Sequence, residues 1–255
     1  MIAFEHLTLA YGQRTLLHNT AAALPGGTLT ALVGRNGTGK STLLRALAGL
    51  DLPAAGEILL AGRPLRALTP RERATAVSFV ATDRVRIADL TAEATVALGR
   101  APYTDWIGRM QPADRERVAR ALRDVGMEAF ARKTMDRLSD GERQRILIAR
   151  ALAQETPAIL LDEPTAFLDL PNRYALATLL RRLAHDEGKC ILFSTHELDV
   201  ALAFCDRVML LDPPALHCLP TDAMVRSGRI ERLFAGSGVV FDARTRRVLG
   251  DADGR

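Results

Sequence analysis

The stretch TLTALVGRNGTGKST, residues 28–42, decides the fold of this chain. Its first six residues form an apolar run that predicts a strand, and LLRALA at 43–48 predicts a helix that stops at Gly49. A glycine loop between a strand and a helix lets successive backbone N–H groups face a negative charge. In this setting the G-x4-G-K-S spacing predicts a phosphate-binding loop.

Each residue type in this loop suits a contact with a nucleoside triphosphate. Lys40 would reach the β- and γ-phosphates, and Ser41 would ligate Mg²⁺. The alternative is a glycine turn that happens to precede Lys-Ser, and residue frequencies give this pattern in about one such chain in several hundred. We therefore expect ATP and Mg²⁺ as cofactors. The candidate ATP-binding residues of the loop are Gly34, Arg35, Asn36, Gly37, Thr38, Gly39, Lys40, Ser41 and Thr42.

A second motif, ILLDEP at 159–164, is an apolar strand that ends in two carboxylates. Charge at the end of a buried strand needs a partner such as a metal ion, so Asp162 is the expected Mg²⁺ ligand beside Ser41. Glu163 is placed to polarise an attacking water, which phosphoryl transfer requires. Taken alone, a strand-end Asp-Glu pair is more often a turn, and the upstream phosphate loop favours the functional interpretation.

The composition indicates a folded protein with one α/β domain. Of 255 residues, 48% are hydrophobic and 25% charged, and the net charge of +4 is scattered along the chain, which argues against a nucleic-acid groove. No apolar run approaches the ~18 residues of a membrane span, and no leader pattern opens the sequence. Three widely spaced cysteines are typical of reduced thiols. We expect a protein located in the cytoplasm.

The order of patterns predicts a sheet with a helical insertion. Strand patterns at 2–9 and 28–33 precede a helical section at about 85–153, and strand patterns return at 158–161, 190–193 and 208–210. We expect the two flanking parts to share one sheet in a domain covering residues 1–237. The tail at 238–255 predicts a small hairpin. The chain from Pro213 onward is punctuated by prolines and glycines and carries no recognised motif.

Just before the second motif lies LSDGE at 138–142, and with it the sequence resembles the ATP-binding-cassette (ABC) ATPases over about residues 2–212. Physically, Ser139 and Glu142 predict a capping box that opens a helix and leaves N–H groups for an anion. The resemblance implies a P-loop NTPase (RecA-like) core with a β subdomain and an inserted helical subdomain. It also implies that Ser139, Gly141 and Glu142 contact the ATP bound by a partner copy.

Further assignments follow from this resemblance. Tyr11 stands where the family stacks an aromatic ring on adenine, and FLD at 167–169 resembles a D-loop with its Asp169. His196 stands where the family has a switch histidine in contact with the γ-phosphate. With Glu163, it completes the expected catalytic pair.

The sequence departs from the family pattern in two places. Thr82 occupies the position of a glutamine that contacts Mg²⁺, and Asp83 is an alternative ligand there. In LSDGE, Asp140 replaces a glycine and Glu142 a glutamine. Both changes add negative charge beside a site that should receive phosphate.

The segment at 90–103 resembles the corresponding part of the iron-chelate importer branch, which handles siderophores, haem or cobalamin. The partners implied are a second copy of the chain, a dimeric integral-membrane permease and, indirectly, a substrate-binding protein, with no nucleic acid. The chain would sit as a peripheral subunit on the cytoplasmic face of the inner membrane. Pro102, Tyr103 and Trp106 are candidates for the docking surface or for the core.

Three alternatives remain open. A soluble ABC ATPase of iron–sulfur cluster assembly shares these motifs, and so does an importer ATPase for another substrate. Nucleic-acid or ribosome-bound members usually carry two cassettes in one chain. A nonhydrolytic module is disfavoured because the chain has all four expected residues, Lys40, Asp162, Glu163 and His196.

Overall fold

The structure is a computed structural model that describes residues 1–82, 89–105, 107–235 and 238–250. Its strands are β1 (Ile2–Tyr11), β2 (Arg14–Leu24), β3 (Thr28–Val33), β4 (Ala55–Leu60), β5 (Arg63–Pro64), β6 (Val77–Val80), β7 (Ala158–Leu161), β8 (Cys190–Ser194), β9 (Arg207–Asp212), β10 (Ala215–Pro220), β11 (Val239–Asp242) and β12 (Arg247–Gly250).

The α-helices separate these strands and also fill the middle of the chain. They are α1 (Lys40–Leu47), α2 (Pro70–Ala76), α3 (Ala92–Ala97), α4 (Pro112–Asp124), α5 (Asp140–Ala153), α6 (Leu170–Glu187), α7 (Leu198–Phe204), α8 (Thr221–Arg226) and α9 (Arg229–Leu233). Short 3₁₀ turns at Leu65–Ala67, Leu98–Tyr103, Glu128–Phe130 and Met135–Arg137 complete the helical elements. Within the described ranges, no helix combines the length and hydrophobicity that a bilayer crossing requires.

A six-stranded sheet in the order β10-β9-β3-β8-β7-β6 forms the centre of the molecule. All of its pairings are parallel except β10 with β9. The sheet joins strands from both sides of the helical section, which confirms the expected shared sheet. Because the carboxyl ends of parallel strands meet at one edge, the loops after β3, β7 and β8 are brought together there.

Side chains alternate across β3 and divide the interior into two cores. Leu29, Ala31 and Val33 face one core, which is shared with the helical section, α6 and α7. Leu32 faces the other, which is shared with α1 and with a small antiparallel sheet in the order β2-β1-β4-β5. The strand that carries the phosphate loop is therefore buried on both faces.

The part of the chain after Pro213 contains the predicted terminal hairpin and three further elements that the sequence analysis did not identify. β10 extends the main sheet, and α8 and α9 follow it before the antiparallel β11 and β12. All β10 residues before Pro220 are half-buried, as suits a strand at a sheet edge. Such a strand lacks the clear apolar alternation on which the sequence analysis depended.

Candidate active site

The loop after β3 wraps tightly around the start of α1. A Cβ atom on Gly34 would lie 2.7 Å from the Leu211 carbonyl oxygen, so only glycine fits there. Gly39 has φ 102° at the N-cap of α1, in the left-handed region that favours glycine, and a Cβ there would lie 2.7 Å from Leu16 Cδ1. These two constraints explain the glycines at both ends of the motif.

Lys40 is buried inside this loop, with 6% of its surface exposed. Its Nζ donates to the carbonyl oxygens of Gly34 at 3.0 Å and Arg35 at 3.3 Å. Burial lowers the pKa of Lys40, while the nearby carboxylates of Glu163 and Asp162 act in the opposite direction. The Lys40 ammonium group is thus held beside the loop. Phosphate oxygens could replace the two carbonyl oxygens there as its hydrogen-bond acceptors.

The ends of β7 and β8 are joined by hydrogen bonds through Ser194. The Ser194 hydroxyl donates to Asp162 Oδ1 at 2.6 Å and accepts from the Glu163 N–H at 2.8 Å. Glu163 adopts φ 48°, an uncommon value for a non-glycine residue. This turn separates the two carboxylates: Asp162 is buried, whereas Glu163 lies at the surface of the site. The sequence analysis assigned Ser194 no role.

Glu163 and His196 form a direct contact across the site. Glu163 Oε1 lies 2.6 Å from His196 Nε2, and the two side chains are 29% and 42% exposed. Because both side chains are partly exposed, they can form hydrogen bonds to a water or a phosphate oxygen while they remain hydrogen-bonded to each other.

An open cleft of about 600 Å³ brings most of the expected nucleotide-binding residues together. Tyr11 lines this cleft and is 76% exposed, so its ring is available for stacking. Arg14, the cross-strand neighbour of Tyr11, also lines the cleft and was missed by the sequence analysis. The lining residues are Tyr11, Arg14, Leu16, Asn36, Gly37, Gly39, Lys40, Ser41, Thr42, Glu163 and His196.

Thr82 contacts the second motif through the main chain. Thr82 lies two residues after the end of β6, and its hydroxyl donates to the Asp162 carbonyl oxygen at 2.8 Å. This hydrogen bond gives Thr82 a structural task that does not depend on a metal. The alternative ligand Asp83 lies outside the described residues.

The LSDGE segment lies outside the lining of this cleft and begins α5. The Ser139 side chain accepts from the Glu142 N–H, and Glu142 Oε2 accepts from the Ser139 N–H at 2.7 Å, which confirms the predicted capping box. Asp140 pairs with Arg143, and Glu142 lies 3.8 Å from Lys133 Nζ. Each added acid therefore has a basic neighbour. Gly141 packs closely, since a Cβ there would meet the Phe167 carbonyl oxygen at 3.1 Å.

Asp169 is the N-cap of α6, where its side chain accepts from the Asn172 N–H at 3.1 Å.

The candidate docking or core residues Pro102 and Tyr103 form hydrogen bonds within their own chain. The Tyr103 hydroxyl donates to the Gln154 carbonyl at 2.9 Å, and the Pro102 carbonyl accepts from Arg71. Trp106 lies outside the described residues. Tyr103 is half-buried, between the docking and core alternatives that the sequence left open.

Known proteins share both this sequence and this fold. The ferric enterobactin transport ATP-binding protein FepC of Escherichia coli is 37% identical over 207 residues, covering 81% of this chain and 76% of that protein. The iron(3+)-hydroxamate import ATP-binding protein FhuC of Bacillus subtilis is 31% identical over 255 residues, covering 97% and 93%.

Solved structures of other proteins are similar to this chain in fold. The dimeric structure of MJ0796, a bacterial ABC transporter cassette, matches with a TM-score of 0.78 at 30% identity, covering 87% of this chain and 99% of that chain. A post-hydrolysis dimer of MJ0796 bound to ADP and Pi matches with a TM-score of 0.77 at the same identity and coverage. These matches confirm the P-loop NTPase fold expected from the sequence.

The family model for ABC transporters matches residues 17–166, more than half of the chain, and includes both the phosphate loop and the Asp162–Glu163 motif. The expected resemblance is therefore confirmed, and this chain belongs to the ABC transporter family, among its ATP-binding subunits.

Proposed function

We propose that this chain is the ATP-hydrolysing subunit that energises an importer of iron chelates, such as siderophores or haem, or of cobalamin. One observation carries the catalytic part of the proposal: Lys40, Glu163 and His196 line a single cleft beside a loop of backbone N–H groups. We take residues 1–237 as the ATPase domain, with the helical section at about 85–153 inserted in it, and 238–255 as a tail.

The nucleotide would lie in the cleft with its phosphates on residues 34–42. Tyr11 would stack on the base, and Lys40 would leave the loop carbonyls for the β- and γ-phosphates. The donors present suit Mg²⁺, which prefers one or two carboxylates plus phosphate oxygens, because Asp162 is buried beside the loop and Ser41 is exposed in it. Bound there, Mg²⁺ would neutralise phosphate charge. We assign it to Ser41 and Asp162, with Thr82 a weaker candidate.

The side chains of Glu163 and His196 are suited to hydrolysis. Glu163 would accept a hydrogen bond from the attacking water and orient it in line with the γ-phosphate. His196 would contact the γ-phosphate while its hydrogen bond keeps the Glu163 carboxylate in place. The Ser194 hydroxyl fixes the Asp162 side chain and the Glu163 backbone relative to each other.

Two copies of the chain would complete the sites. Ser139, Gly141 and Glu142 are outside the cleft lining of their own chain, as expected if they serve the ATP of a partner copy. We assign Asp169 to the same proposed contact between the two copies. Support comes from MJ0796, whose cassettes form dimers in two structures. The dimer would dock on a membrane permease at the cytoplasmic face of the inner membrane, and a substrate-binding protein would deliver the cargo.

Several relatives favour a chelate cargo. Besides FepC and FhuC, similar proteins include the achromobactin transport ATP-binding protein CbrD of Dickeya dadantii, which is 36% identical over 208 residues, 82% of this chain and 77% of that protein. These names favour the importer over iron–sulfur cluster assembly. An importer for another substrate is the nearest competing function.

Uptake by cells that lack this gene tests the proposal. Labelled siderophore-iron, haem and cobalamin would be supplied separately, with wild type, Lys40→Arg or Lys133→Arg returned to the cells. We expect one substrate to depend on the gene, with rescue by wild type and by Lys133→Arg. Lys40→Arg should fail, because the planar guanidinium does not fit the position of a buried ammonium.

Lys133 is the matched control because it is 38% exposed and lies 3.8 Å from Glu142, a contact that arginine can also make. Uptake of all three substrates at the wild-type rate without the gene would overturn the proposed cargo class. Rescue by Lys40→Arg equal to wild type would contradict the role given to Lys40.

A further inference from the structure

Arg173, near the start of α6, joins two chain segments that are distant in sequence. Its Nε donates to the Leu168 carbonyl oxygen at 2.7 Å, and its Nη1 lies 2.8 Å from Glu197 Oε1. The Arg173 and Glu197 side chains are 33% and 20% exposed. Because the guanidinium is a rigid fork, it makes both contacts at once and fixes the distance between them.

The first contact holds the segment that follows the catalytic motif. The Ala166 N–H donates to the Glu163 carbonyl at 3.1 Å, and the Leu168 N–H donates to the Thr165 carbonyl at 3.0 Å. Glu163 to Leu168 is thus a compact pair of turns. Arg173 binds the Leu168 carbonyl at the far end of these turns, so hydrogen bonds connect Arg173 to the segment that begins at Glu163.

The second contact holds the segment that carries His196. Glu197 directly follows His196, and its N–H donates to the Thr195 hydroxyl at 3.0 Å. On the other side, the Thr195 N–H donates to the Leu32 carbonyl at 3.1 Å, which anchors the backbone to the central sheet. Burial raises the pKa of Glu197, and the Arg173 guanidinium acts against this rise by favouring the carboxylate.

The two segments also meet at their other ends, where Glu163 Oε1 lies 2.6 Å from His196 Nε2. The contacts therefore form a closed circuit that runs from Glu163 through Leu168, Arg173 and Glu197 to His196. Beside Arg173, the rings of Tyr174 on α6 and Phe204 on α7 pack edge to face at 5.3 Å. None of the Arg173 atoms needs to touch the nucleotide.

We propose that Arg173 is a positioning residue for hydrolysis: by binding Leu168 and Glu197 together, it holds Glu163 and His196 in the geometry that activates water. This inference rests on the proposed ATPase function. It predicts that Arg173 affects the rate of the chemical step and leaves binding of ATP nearly unchanged, since the phosphate loop is outside the circuit.

The test is steady-state ATP hydrolysis by the purified full chain, with kcat and KM measured separately. For Arg173→Gln we expect kcat to fall at least about tenfold, because misplacing a catalytic group by about 1 Å can cost about a hundredfold. The KM for ATP should change less than about twofold, as for a loss confined to the transition state. Arg173→Lys should be intermediate, because lysine keeps the charge but lacks the fork.

Arg182→Gln is the matched control, because Arg182 lies further along the same helix and pairs with Asp124 at 3.2 Å. It should keep the wild-type kcat. A second pair of variants tests the other end of the contact: Glu197→Gln keeps an acceptor for Arg173 and should lose less activity than Glu197→Leu, which has none.

Two results would overturn the inference: an unchanged kcat in Arg173→Gln, or an equal loss in Arg182→Gln that follows a drop in Tm. A wild-type chain without ATPase activity would instead contradict the proposed function, so the two failures are distinguishable.

Discussion

Asp140 places a carboxylate at the start of α5, where the resemblance expects glycine. The structure pairs it with Arg143 Nη2 at 2.5 Å, and both side chains are about a third exposed, at 36% and 33%. Exposed ion pairs are weak and are screened by salt. The Asp140 charge therefore still opposes an approaching phosphate when the ionic strength is low.

We predict that Asp140→Gly and Asp140→Asn both tighten ATP-driven self-association of the Glu163→Gln chain at low salt. The gain should shrink as salt rises from about 0.01 M to about 1 M, because the Debye length falls from about 30 Å to about 3 Å. Sedimentation velocity with ATP measures this association. Glu187→Gln, which removes a charge paired with Arg120 at the far end of α6, is the control. Equal association of all variants at low salt would refute the electrostatic explanation.

Individual residues were predictable where chemistry demands a residue type at a fixed spacing. Lys40 and Glu163 were predicted from such motifs, His196 was assigned through the family resemblance, and all three lie in one cleft. Ser194 and Arg173 were missed as functional residues because their contacts join positions far apart in sequence. No local pattern reports these contacts, since they depend on how α6 and the strand ends pack.

At the scale of elements, a buried ion pair connects the helical section. Arg100, in the 3₁₀ turn Leu98–Tyr103, places Nε 2.9 Å from Asp114 Oδ1 on α4, and its Nη1 donates to the Ala153 carbonyl at the end of α5. The two side chains are only 3% and 5% exposed. Three elements therefore depend on one guanidinium.

We predict that Arg100→Met lowers the free energy of unfolding by about 3–5 kcal/mol, because it leaves a buried carboxylate without its main partner. Arg120→Gln removes a 60% exposed arginine that pairs with Glu187, and should cost less than about 1 kcal/mol. Chemical denaturation at neutral pH measures both values. Equal, small losses would show that the buried pair is not important for stability.

The same pair has a defined pH dependence. Burial acts to raise the pKa of Asp114, but the Gln111 N–H and the Arg100 guanidinium outweigh it and hold the pKa below its usual 3.8. A lowered folded-state pKa contributes stability above pH 3.8, and this contribution is lost as pH falls through the folded value. The stability gap between wild type and Arg100→Met should therefore narrow in that acidic range.

Elements were predictable where apolar periodicity is strong, as in β3, α1 and β7. β2 was missed because its apolar residues do not alternate regularly: its pairing with β1 contains register shifts, and the segment HNTAAA at 18–23 is largely exposed or half-buried. β10 was missed because it is a half-buried edge strand. Both strands are stabilised by pairing with a neighbouring strand, β1 for β2 and β9 for β10, and this pairing does not require apolar alternation in their own sequence.

At the scale of the whole molecule, the chain presents two separate sets of functional groups. One is the cleft with Tyr11, the loop, Glu163 and His196, and the other is the start of α5 with Ser139 and Gly141. A second copy would unite the two sets, which is the central claim about this chain. The sequence alone supplied this idea only through family resemblance, because the spacing of motifs along a chain does not show which chain completes a site.

Mixing two inactive variants tests this claim most directly. Lys40→Ala disables the loop but keeps the α5 start, whereas Ser139→Arg blocks the α5 start but keeps the loop. Each purified alone should hydrolyse almost no ATP, and a mixed dimer contains one site in which both halves are intact. We predict that the mixture recovers a clear fraction of wild-type hydrolysis. A mixture as inactive as its components, beside an active wild type, would contradict a site shared between two copies.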